Sequence, residues 1–508
     1  MKNKMKKKIV IALIVVVLAI AIFGAIYIFA PRKVEKLSNV KIINTYGNEI
    51  ENYKENTMPF TIEKDKEDVK ILVNGKEYNN GERIYKVGEY KVLVEYENKK
   101  ELSDIIIEPV EKTEEHTYKI YVVSETLQTL LANLNISSNV NQKGFIWTAR
   151  TSTLDMEKMK ENIPNLQISN NNGTVEPGVF KENILPEIKE YVKKVLQEDK
   201  NAYFELYMEE DKFYVELELF GKIGLDDSRY EVIMYTNGTL GYVRQYEITE
   251  SNKYERFCQE KEDYMNIVET VKNNTIETNG YPGSYLVDSK SQVFAQELNL
   301  DYMYISTLLR DNIKLYLQFP EMIKFEDEEI SKEMENAKIE KIVMKDEFSK
   351  LDEQEKEIFF ENISLNKEEL DQNYFTDETR EYLIITGTTP FYGEYNNQEK
   401  FESIIKQVNQ DYGEKYVILY KPHPRALPTE EQEKFLNNLG IKVLPGKLPM
   451  EAISFVYPNL KLGGFDSSLY MSTDKGETLF FFAADKNQLW SPLDVLYDTV
   501  FSDAKFYN

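Results

Sequence analysis

The chain has 508 residues, 42% of them hydrophobic, so it is too long for one hydrophobic core and apolar enough to build two or three domains. Its formal net charge of −25 excludes a general affinity for nucleic acid or an anionic membrane surface, because polyanions repel it at long range. The single cysteine, Cys258, excludes an internal disulfide framework and a thiolate cluster for zinc or iron–sulfur ligation.

The N-terminus carries a membrane signal. Residues 9–30 are apolar and uncharged, and at about 1.5 Å per residue they reach across a bilayer core of about 30 Å. The lysines within residues 1–8 outnumber the basic residues that follow the stretch. The positive-inside rule therefore predicts a cytoplasmic tail over 1–8, a single transmembrane helix over 9–30 and an extracytoplasmic body. A cleaved signal peptide is the alternative, but the apolar run is longer than a signal peptide needs and no small-residue cleavage site ends it.

Residues 37–110 contain short strand-like runs separated by glycine and Asn-Gly turns. This spacing predicts a small all-β sandwich of immunoglobulin type. The region has no cysteine and no chemical motif, which favours a spacer or docking role. Residues 111–117 are predicted to be a linker, with His116 as a solvated linker histidine.

From residue 117 onward the pattern becomes α/β. Strands are predicted near 118–123, 145–147, 202–208 and 213–219, and helices over 126–134 and 185–197. The acidic stretch 325–372 is predicted to be helical, with its charges on a solvated face.

Three later loops each follow a predicted strand. They contain TGTTPF at 386–391, KPHPR at 421–425 and GGFDSSLY at 463–470. Loops at the carboxyl ends of parallel strands converge on the ligand crevice of an open sheet. The imidazole of His423 between Lys421 and Arg425 suits an anion, and so do the hydroxyls of Ser467 and Ser468 at a helix start. Together the loops predict a nucleotide-phosphate site.

These motifs, in this order, resemble the bacterial sialyltransferases of glycosyltransferase family 80, which have a GT-B fold. That family carries a Lys-Gly-His-Pro-Arg-like motif followed by a Ser-Ser-Leu-Tyr-x-Ser motif, and the resemblance covers about residues 117–508. It implies two Rossmann-like domains facing each other across a cleft. The acceptor-side domain would cover 117–255 and the donor-nucleotide domain 256–486, with a C-terminal segment over 487–508 returning to the first. Some members of the family also begin with an immunoglobulin-like domain.

The resemblance implies transfer of sialic acid from CMP-sialic acid, or of a sugar from a related nucleotide sugar, to a galactose-type glycan acceptor. Transfer would occur with inversion and without a metal or other cofactor. His423 would bind or protonate the departing CMP phosphate, Ser467 and Ser468 would hold that phosphate, and Glu451 would bind the cytidine ribose or base region. The other donor-side positions are Gly387, Thr388, Lys421 and Pro424.

One position departs from the family pattern. The family's general base is the second aspartate of an Asp-Asp-Gly motif, and Asn237 stands in that place within MYTNGT at 234–239. A carboxamide does not accept a proton from a sugar hydroxyl, and loss of a general base costs about 10²–10⁴-fold in rate. Asn-Gly between two strand-like runs is also a strong hairpin signal. Asp226 and Asp227 are close to Asn237 in the sequence, but this spacing alone does not show that either of them acts as the general base.

Two functions therefore stay open. The first is an anchored sialyltransferase, or a relative that uses another acidic sugar donor. The second is a catalytically weak or inactive GT-B-fold protein on the extracytoplasmic side that binds glycan or nucleotide. The predicted export favours the second, because CMP-sugars are made in the cytosol. The matching set of donor-side residues favours the first.

Overall fold

The computed structural model describes residues 31–173, 180–212, 215–235, 253–273, 300–323, 325, 327–388, 397–423, 426–490 and 493–508. The predicted membrane segment over 9–30 and the predicted base position, Asn237, lie outside these residues. Within the described ranges, no helix is long and apolar enough to cross a membrane.

The N-terminal unit consists of strands that surround one hydrophobic core. The strands are β1 (Arg32–Lys33), β2 (Val40–Asn44), β3 (Phe60–Lys64), β4 (Lys70–Val73), β5 (Lys76–Glu77), β6 (Gly88–Tyr96) and β7 (Lys99–Ile107). They form a five-stranded sheet in the order β1-β7-β6-β4-β5 and a two-stranded sheet of β2 and β3. Ile42 and Phe60 of the smaller sheet share a core with Val92 and Ile105 of the larger one. The immunoglobulin type of this unit stays a prediction.

The segment predicted to be a linker is attached to the domain that follows it. The backbone N–H of Tyr203 donates to the carbonyl of His116, and the Nδ1 atom of His116 lies 2.8 Å from the Asp199 carboxylate. His116 is therefore not the solvated linker histidine that the sequence suggested, because backbone pairing brings its ring onto Asp199.

The first α/β domain has a seven-stranded parallel sheet. Its strands are β8 (Thr117–Val123), β9 (Lys143–Thr148), β10 (Leu166–Ile168), β11 (Tyr203–Glu209), β12 (Tyr230–Tyr235), β13 (Ile313–Leu317) and β14 (Lys338–Lys341). The order is β10-β9-β8-β11-β12-β13-β14, so the direction of winding reverses between β8 and β11. Residues 120–123 of β8 are all buried, as expected for a sheet covered on both faces.

Helices cover this sheet. They are α1 (Thr126–Ser137), α2 (Met156–Asn162), α3 (Leu185–Glu198), α4 (Lys253–Lys272), α5 (Leu300–Leu308) and α6 (Glu328–Met334). The apolar spacing that predicted α3 is confirmed, because Ile188, Val192 and Val195 are buried on one face.

Two predictions for this domain differ from the structure. The strand predicted over 213–219 is absent from the described part of that segment, where residues Leu217–Gly221 form a π-helical turn. Val215, Leu217 and Leu219 alternate with Glu216 and Glu218 as in a strand, but residues 215–220 are all buried, the glutamates included. The predicted domain boundary after residue 255 also differs, because β13 pairs with β12 and β14 pairs with β13. The first sheet therefore continues to Lys341.

The second α/β domain repeats the same winding. Three helices, α7 (Met344–Lys350), α8 (Glu353–Asn362) and α9 (Lys367–Asn373), lead into a six-stranded parallel sheet. Its strands are β15 (Glu381–Thr386), β16 (Tyr416–Lys421), β17 (Lys442–Val443), β18 (Lys461–Gly464), β19 (Thr478–Phe481) and β20 (Lys505–Phe506). The order is β17-β16-β15-β18-β19-β20, with the reversal between β15 and β18.

The remaining helices are α10 (Gln398–Tyr412), α11 (Glu430–Asn438), α12 (Met450–Val456) and α13 (Leu493–Tyr497). The last residues of the chain were predicted to return to the first domain. Residues 505–506 form β20 and pair with β19 of the second sheet, whereas Leu493 and Leu496 belong to a hydrophobic cluster that also contains Val122 and Leu206 of the first sheet.

Candidate functional site

The three loops predicted to bind phosphate meet at the carboxyl edge of the second sheet. They follow β15, β16 and β18, the two strands at the reversal point and one neighbour. The Gly387 N–H donates to the Lys421 carbonyl at 2.8 Å. A Cβ atom at Gly387 would lie 2.8 Å from the Tyr420 hydroxyl and 3.2 Å from the backbone nitrogen of His423. Glycine at this position therefore lets the first loop pack directly on the His423 loop.

The paired glycines before Ser467 have a different role from the one predicted. Gly463 and Gly464 lie within strand β18 rather than in a phosphate-binding loop. A Cβ atom at Gly463 would lie 2.5 Å from the Phe480 ring, and one at Gly464 would lie 2.5 Å from the Thr386 carbonyl. Gly464 also has a φ of +131°, which side-chain-bearing residues rarely adopt. The glycines hold β18 close to β15 and β19.

Ser467 begins the helical turn that the sequence predicted. A five-residue 3₁₀ helix covers Ser468–Ser472, and the Ser467 hydroxyl accepts a hydrogen bond from the Leu469 N–H at 3.3 Å. Next to it, Asp466 accepts from the Trp490 N–H at 2.7 Å. The side chain of Ser468 lies outside the description. Ser467 is thus fixed at the reversal point, on the same edge as Gly387.

His423 lies in a turn that Lys421 holds in place. The His423 carbonyl accepts from the Ala426 N–H at 2.9 Å, while Pro424 and Arg425 lie outside the described residues. The Lys421 ammonium donates to the carbonyls of Pro422 at 2.8 Å and Gly446 at 2.9 Å. Burial lowers the pKa of Lys421 to about 8, although Glu451 opposes this effect.

Glu451 is not the solvent-facing residue that an isolated glutamate usually is. It lies in the first turn of α12 and is only partly exposed. Burial raises the pKa of Glu451, and its own backbone N–H together with the nearby Lys421 and Arg150 opposes the rise. Lys421 belongs to the second domain and Arg150 to the first, so Glu451 marks a place where the two domains meet.

The first sheet brings a second charged group to this place. Glu125 follows β8 and forms an ion pair with Arg150, which follows β9. The two side chains are 46% and 33% exposed. Sequence reasoning missed both residues. Each directly follows a predicted strand, so the rule that found the loops of the second sheet would also have found this pair.

Glu209 holds the backbone of Glu125 in place through hydrogen bonds. It ends β11, is buried, and accepts hydrogen bonds from the backbone N–H groups of Ser124 and Glu125 and from the Lys212 ammonium. Burial raises the pKa of Glu209, but Lys212 and Ser124 lower it overall. Glu209 is therefore a carboxylate with its oxygens already engaged, and it orients the start of α1.

Asp227 lies at the opposite, amino edge of the first sheet. It precedes β12 and is ion-paired with Lys272 at 2.5 Å and Arg310 at 2.7 Å. The six residues of β12, at about 3.3 Å each, separate it from the carboxyl edge by about 20 Å. Burial raises the pKa of Asp227, but Arg310 and Lys272 outweigh burial and hold it below its ordinary value. Asp227 is therefore too distant to act at the carboxyl edge.

The described residues contain no group of three or more His, Cys, Asp or Glu side chains that could hold a metal ion. Transfer without a metal stays a prediction.

Two parallel sheets of the same winding, joined through α7–α9, define an α/β fold of GT-B type. No family model matches the chain, and no curated protein sequence matches it.

Solved structures share the fold. The α/β-galactoside α-2,3-sialyltransferase of the luminous marine bacterium Photobacterium phosphoreum matches with a TM-score of 0.55 and 16% identity, over 78% of this chain and 99% of that one. The sialyltransferase of Photobacterium damsela matches with a TM-score of 0.56 and 14% identity, over 94% and 99%. A third match is the 2,6-sialyltransferase of Photobacterium sp. JT-ISH-224, solved in a ternary complex with the donor product CMP and the acceptor substrate lactose. Its TM-score is 0.53 and its sequence identity 13%, over 94% of this chain and 97% of that one. At these identities the likeness establishes the fold.

Proposed function

We propose that this protein is a glycosyltransferase that transfers sialic acid from CMP-sialic acid to a galactose-type glycan acceptor with inversion. The observation that carries the proposal is the meeting of Gly387, His423 and Ser467 at the reversal point of the second sheet. Doubly wound sheets bind nucleotides at this point. The choice of donor and acceptor is supported by the motif resemblance and by the complex of a similarly folded sialyltransferase with CMP and lactose.

The donor phosphate would lie between the His423 and Ser467 loops. As the bond to the sugar breaks, negative charge accumulates on the CMP phosphate. His423 would donate a proton or a hydrogen bond to it, and the Ser467 hydroxyl would donate a second hydrogen bond. The ammonium of Lys421, just behind the His423 loop, adds positive charge. These groups would stabilise the leaving phosphate without a metal or a cofactor.

The nucleoside would lie towards α12. A partly buried carboxylate at Glu451 would accept hydrogen bonds from the ribose hydroxyls, as the resemblance implies. Its position beside Lys421 and Arg150 gives this role the structural support that the sequence lacked.

The acceptor hydroxyl must lose a proton, and Glu125 is our candidate for the base. It is a partly exposed carboxylate at the reversal point of the first sheet, and Arg150 connects it to the neighbourhood of Glu451. Its backbone N–H donates to Glu209, which fixes its orientation. Glu209 is buried and fully engaged, and Asp227 is at the far edge. Among these carboxylates, only Glu125 combines the right edge with access to solvent.

The proposal includes a membrane anchor over residues 9–30, with the body on the extracytoplasmic side. Protease added to intact cells should then degrade the body. Protection of the body in intact cells, with degradation after lysis, would place it in the cytoplasm.

The direct test is transfer from CMP-sialic acid to lactose by the full chain. We expect CMP release that depends on lactose, and a product whose anomeric configuration, read by NMR, is opposite to that of the donor. Binding of CMP without any turnover of CMP-sialic acid would contradict the enzyme and favour a binding protein of the same fold.

A further inference from the structure

Two adjoining cavities are lined in part by the residues that follow Arg150 in the chain. The larger, of about 750 Å³, lies between α2, α8 and the start of α9. The smaller, of about 380 Å³, is lined by residues 151–157, Ile363 and Ser364. Asp155 and Ser364 line both cavities, and the Ser364 hydroxyl donates to the Asp155 carboxylate at 3.0 Å. The two cavities therefore form one continuous groove, and each volume falls within the range of about 300–1,000 Å³ typical of small-molecule sites.

The groove is lined by residues that are close in the chain to Arg150 and Glu451. Thr151, which lines the smaller cavity, directly follows Arg150 in the chain. Val456, at the C-terminal end of α12, lines the larger cavity. Glu451 lies five residues earlier on the same helix, about 7.5 Å along its axis at 1.5 Å per residue. An acceptor whose reactive end lies near Glu125 could therefore extend past Arg150 into the groove.

The lining of the groove carries more carboxylates than lysines. Four carboxylates and three lysines line the larger cavity. Each lysine is already ion-paired, in the pairs Lys158–Glu161, Lys356–Glu353 and Lys367–Asp371. The excess carboxylates repel anions and offer oxygens that accept hydrogen bonds from hydroxyl groups. This lining favours an uncharged polar ligand.

The groove also has an apolar wall. Phe348 and Phe360 lie with their ring centroids 5.6 Å apart, and Phe360 is half-exposed while Phe348 is buried. Leu365 and Val456 complete this wall. A sugar residue presents an apolar ring face and a rim of hydroxyl groups, which matches an aromatic wall beside paired charges.

We propose that the groove binds neutral sugar residues of an oligosaccharide acceptor, those behind the galactose that accepts the transferred sugar. This inference rests on the proposed function. Binding in the groove would make the protein selective for extended glycans, because a disaccharide placed near Glu125 would leave the groove empty.

The test compares the galactose-terminated tetrasaccharide lacto-N-neotetraose with lactose as ligands of the full chain, by saturation-transfer NMR and calorimetry. We expect the tetrasaccharide to bind more tightly, and Phe360→Ala to weaken its binding about three- to tenfold, the worth of one aromatic contact, without changing lactose binding. Equal affinities of the wild type for the two sugars, or tetrasaccharide binding that Phe360→Ala leaves unchanged, would overturn the proposal.

A pair of lysines on α2 gives a matched control that does not alter the aromatic wall. Lys158 lines the groove, whereas Lys160 is an exposed lysine on the same helix outside it. Lys158→Ala should weaken tetrasaccharide binding and Lys160→Ala should not; equal effects of the two would contradict the groove. This pair carries the test if Phe360→Ala fails to fold.

The binding measurement does not require turnover, so the two proposals fail separately. Tetrasaccharide binding that depends on Phe360, without any transfer from CMP-sialic acid, would keep the groove and refute the enzyme. Transfer with equal efficiency to lactose and to the tetrasaccharide would support the enzyme and refute the groove.

Discussion

The two edges of the first sheet each carry a carboxylate paired with an arginine, but the pairs differ in access to solvent. At the amino edge, Glu216 and Arg310 are 0% and 5% exposed and are joined by two hydrogen bonds of 2.8 and 3.0 Å. At the carboxyl edge, Glu125 and Arg150 are 46% and 33% exposed. The same pairing chemistry is therefore buried at one edge and leaves a carboxylate open to solvent at the other.

The N-terminal β unit is what closes the amino edge. Its Arg83 donates to the Lys272 carbonyl at 3.0 Å, and its Val87 N–H donates to Asp226 at 3.2 Å. Thr57 further accepts from Arg229, which is almost fully buried. The β unit thus covers one edge of the sheet, while the second domain approaches the other.

The largest expected effect is on activity at the open edge. If Glu125 accepts the proton of the acceptor hydroxyl, Glu125→Gln should lower the turnover of CMP-sialic acid with lactose by about 10²–10⁴-fold. The melting temperature should change little, because the pair is exposed to solvent. A folded variant with wild-type turnover would remove Glu125 from the mechanism.

Asn237 gives a companion test. Asn237→Asp in the Glu125→Gln background places a carboxylate where the family resemblance expects the base. We expect transfer to recover in part, measured in the same assay. No recovery would count against the alignment of residues 234–239 with the Asp-Asp-Gly motif.

At the closed edge we expect a loss of stability and no effect on ligand binding. Glu216→Ala leaves Arg310 buried without this partner, which should lower the free energy of unfolding by about 3–5 kcal/mol in urea titrations. The folded fraction should bind CMP as the wild type does. Unchanged stability, or weaker CMP binding by folded protein, would contradict the division between the edges.

The same edge should be sensitive to acid. The pKa of Asp227 is below its ordinary value, so its contribution to stability is complete above about pH 4 and is lost as pH falls towards the lowered pKa. Asp227→Asn should make this part of the pH dependence disappear. Unfolding free energies measured from pH 7 to pH 2 provide the check.

A smaller effect is expected at the donor edge of the second sheet. Removing one hydroxyl that donates to a charged phosphate costs about 1.5–3 kcal/mol, so Ser467→Ala should weaken CMP binding about 10- to 100-fold in calorimetry. Ser472 is the matched control, because its hydroxyl donates to the Leu469 carbonyl within the same 3₁₀ helix. Equal losses in Ser467→Ala and Ser472→Ala would point to disruption of the helix instead of a lost contact.

The smallest effect concerns pH. Burial lowers the pKa of Lys421 to about 8, so the ammonium loses its charge as pH rises through that value. A bound phosphate favours the charged form, and CMP affinity should therefore fall severalfold between about pH 7 and pH 9. Lys421→Arg keeps the charge and should flatten this profile. Without bound phosphate, the free energy of unfolding of the wild type should rise between about pH 8 and about pH 10.4. In this range Lys421 is deprotonated in the folded protein but still protonated in the unfolded chain, so a higher pH favours the folded state.

The adjacency of the three loops could be predicted from the sequence, because loops at the ends of parallel strands are a local signal. The loops after β15, β16 and β18 are adjacent as expected. The role of Gly463 and Gly464 could not be predicted in the same way, because it depends on the Phe480 ring and the Thr386 carbonyl from neighbouring strands. The membership of β13 and β14 in the first sheet is likewise a matter of long-range pairing.

The contacts at the carboxyl edge of the first sheet were less predictable. The strand-end rule could have found the positions of Glu125 and Arg150, but their pairing depends on the parallel alignment of β8 and β9. The charges near Glu451 come from both domains, Lys421 from the second and Arg150 from the first. Charged residues at the junction of two domains acquire their environment only when both domains are in place.

Calorimetric titration of CMP into the full chain, beside UDP and GDP and with His423→Ala as the variant, tests the central claim most directly. The account predicts that CMP binds more tightly than the other two nucleotides and that His423→Ala weakens this binding without lowering the melting temperature. Absence of CMP binding by the folded wild type, or binding that His423→Ala leaves unchanged, would contradict a donor site at the reversal point of the second sheet.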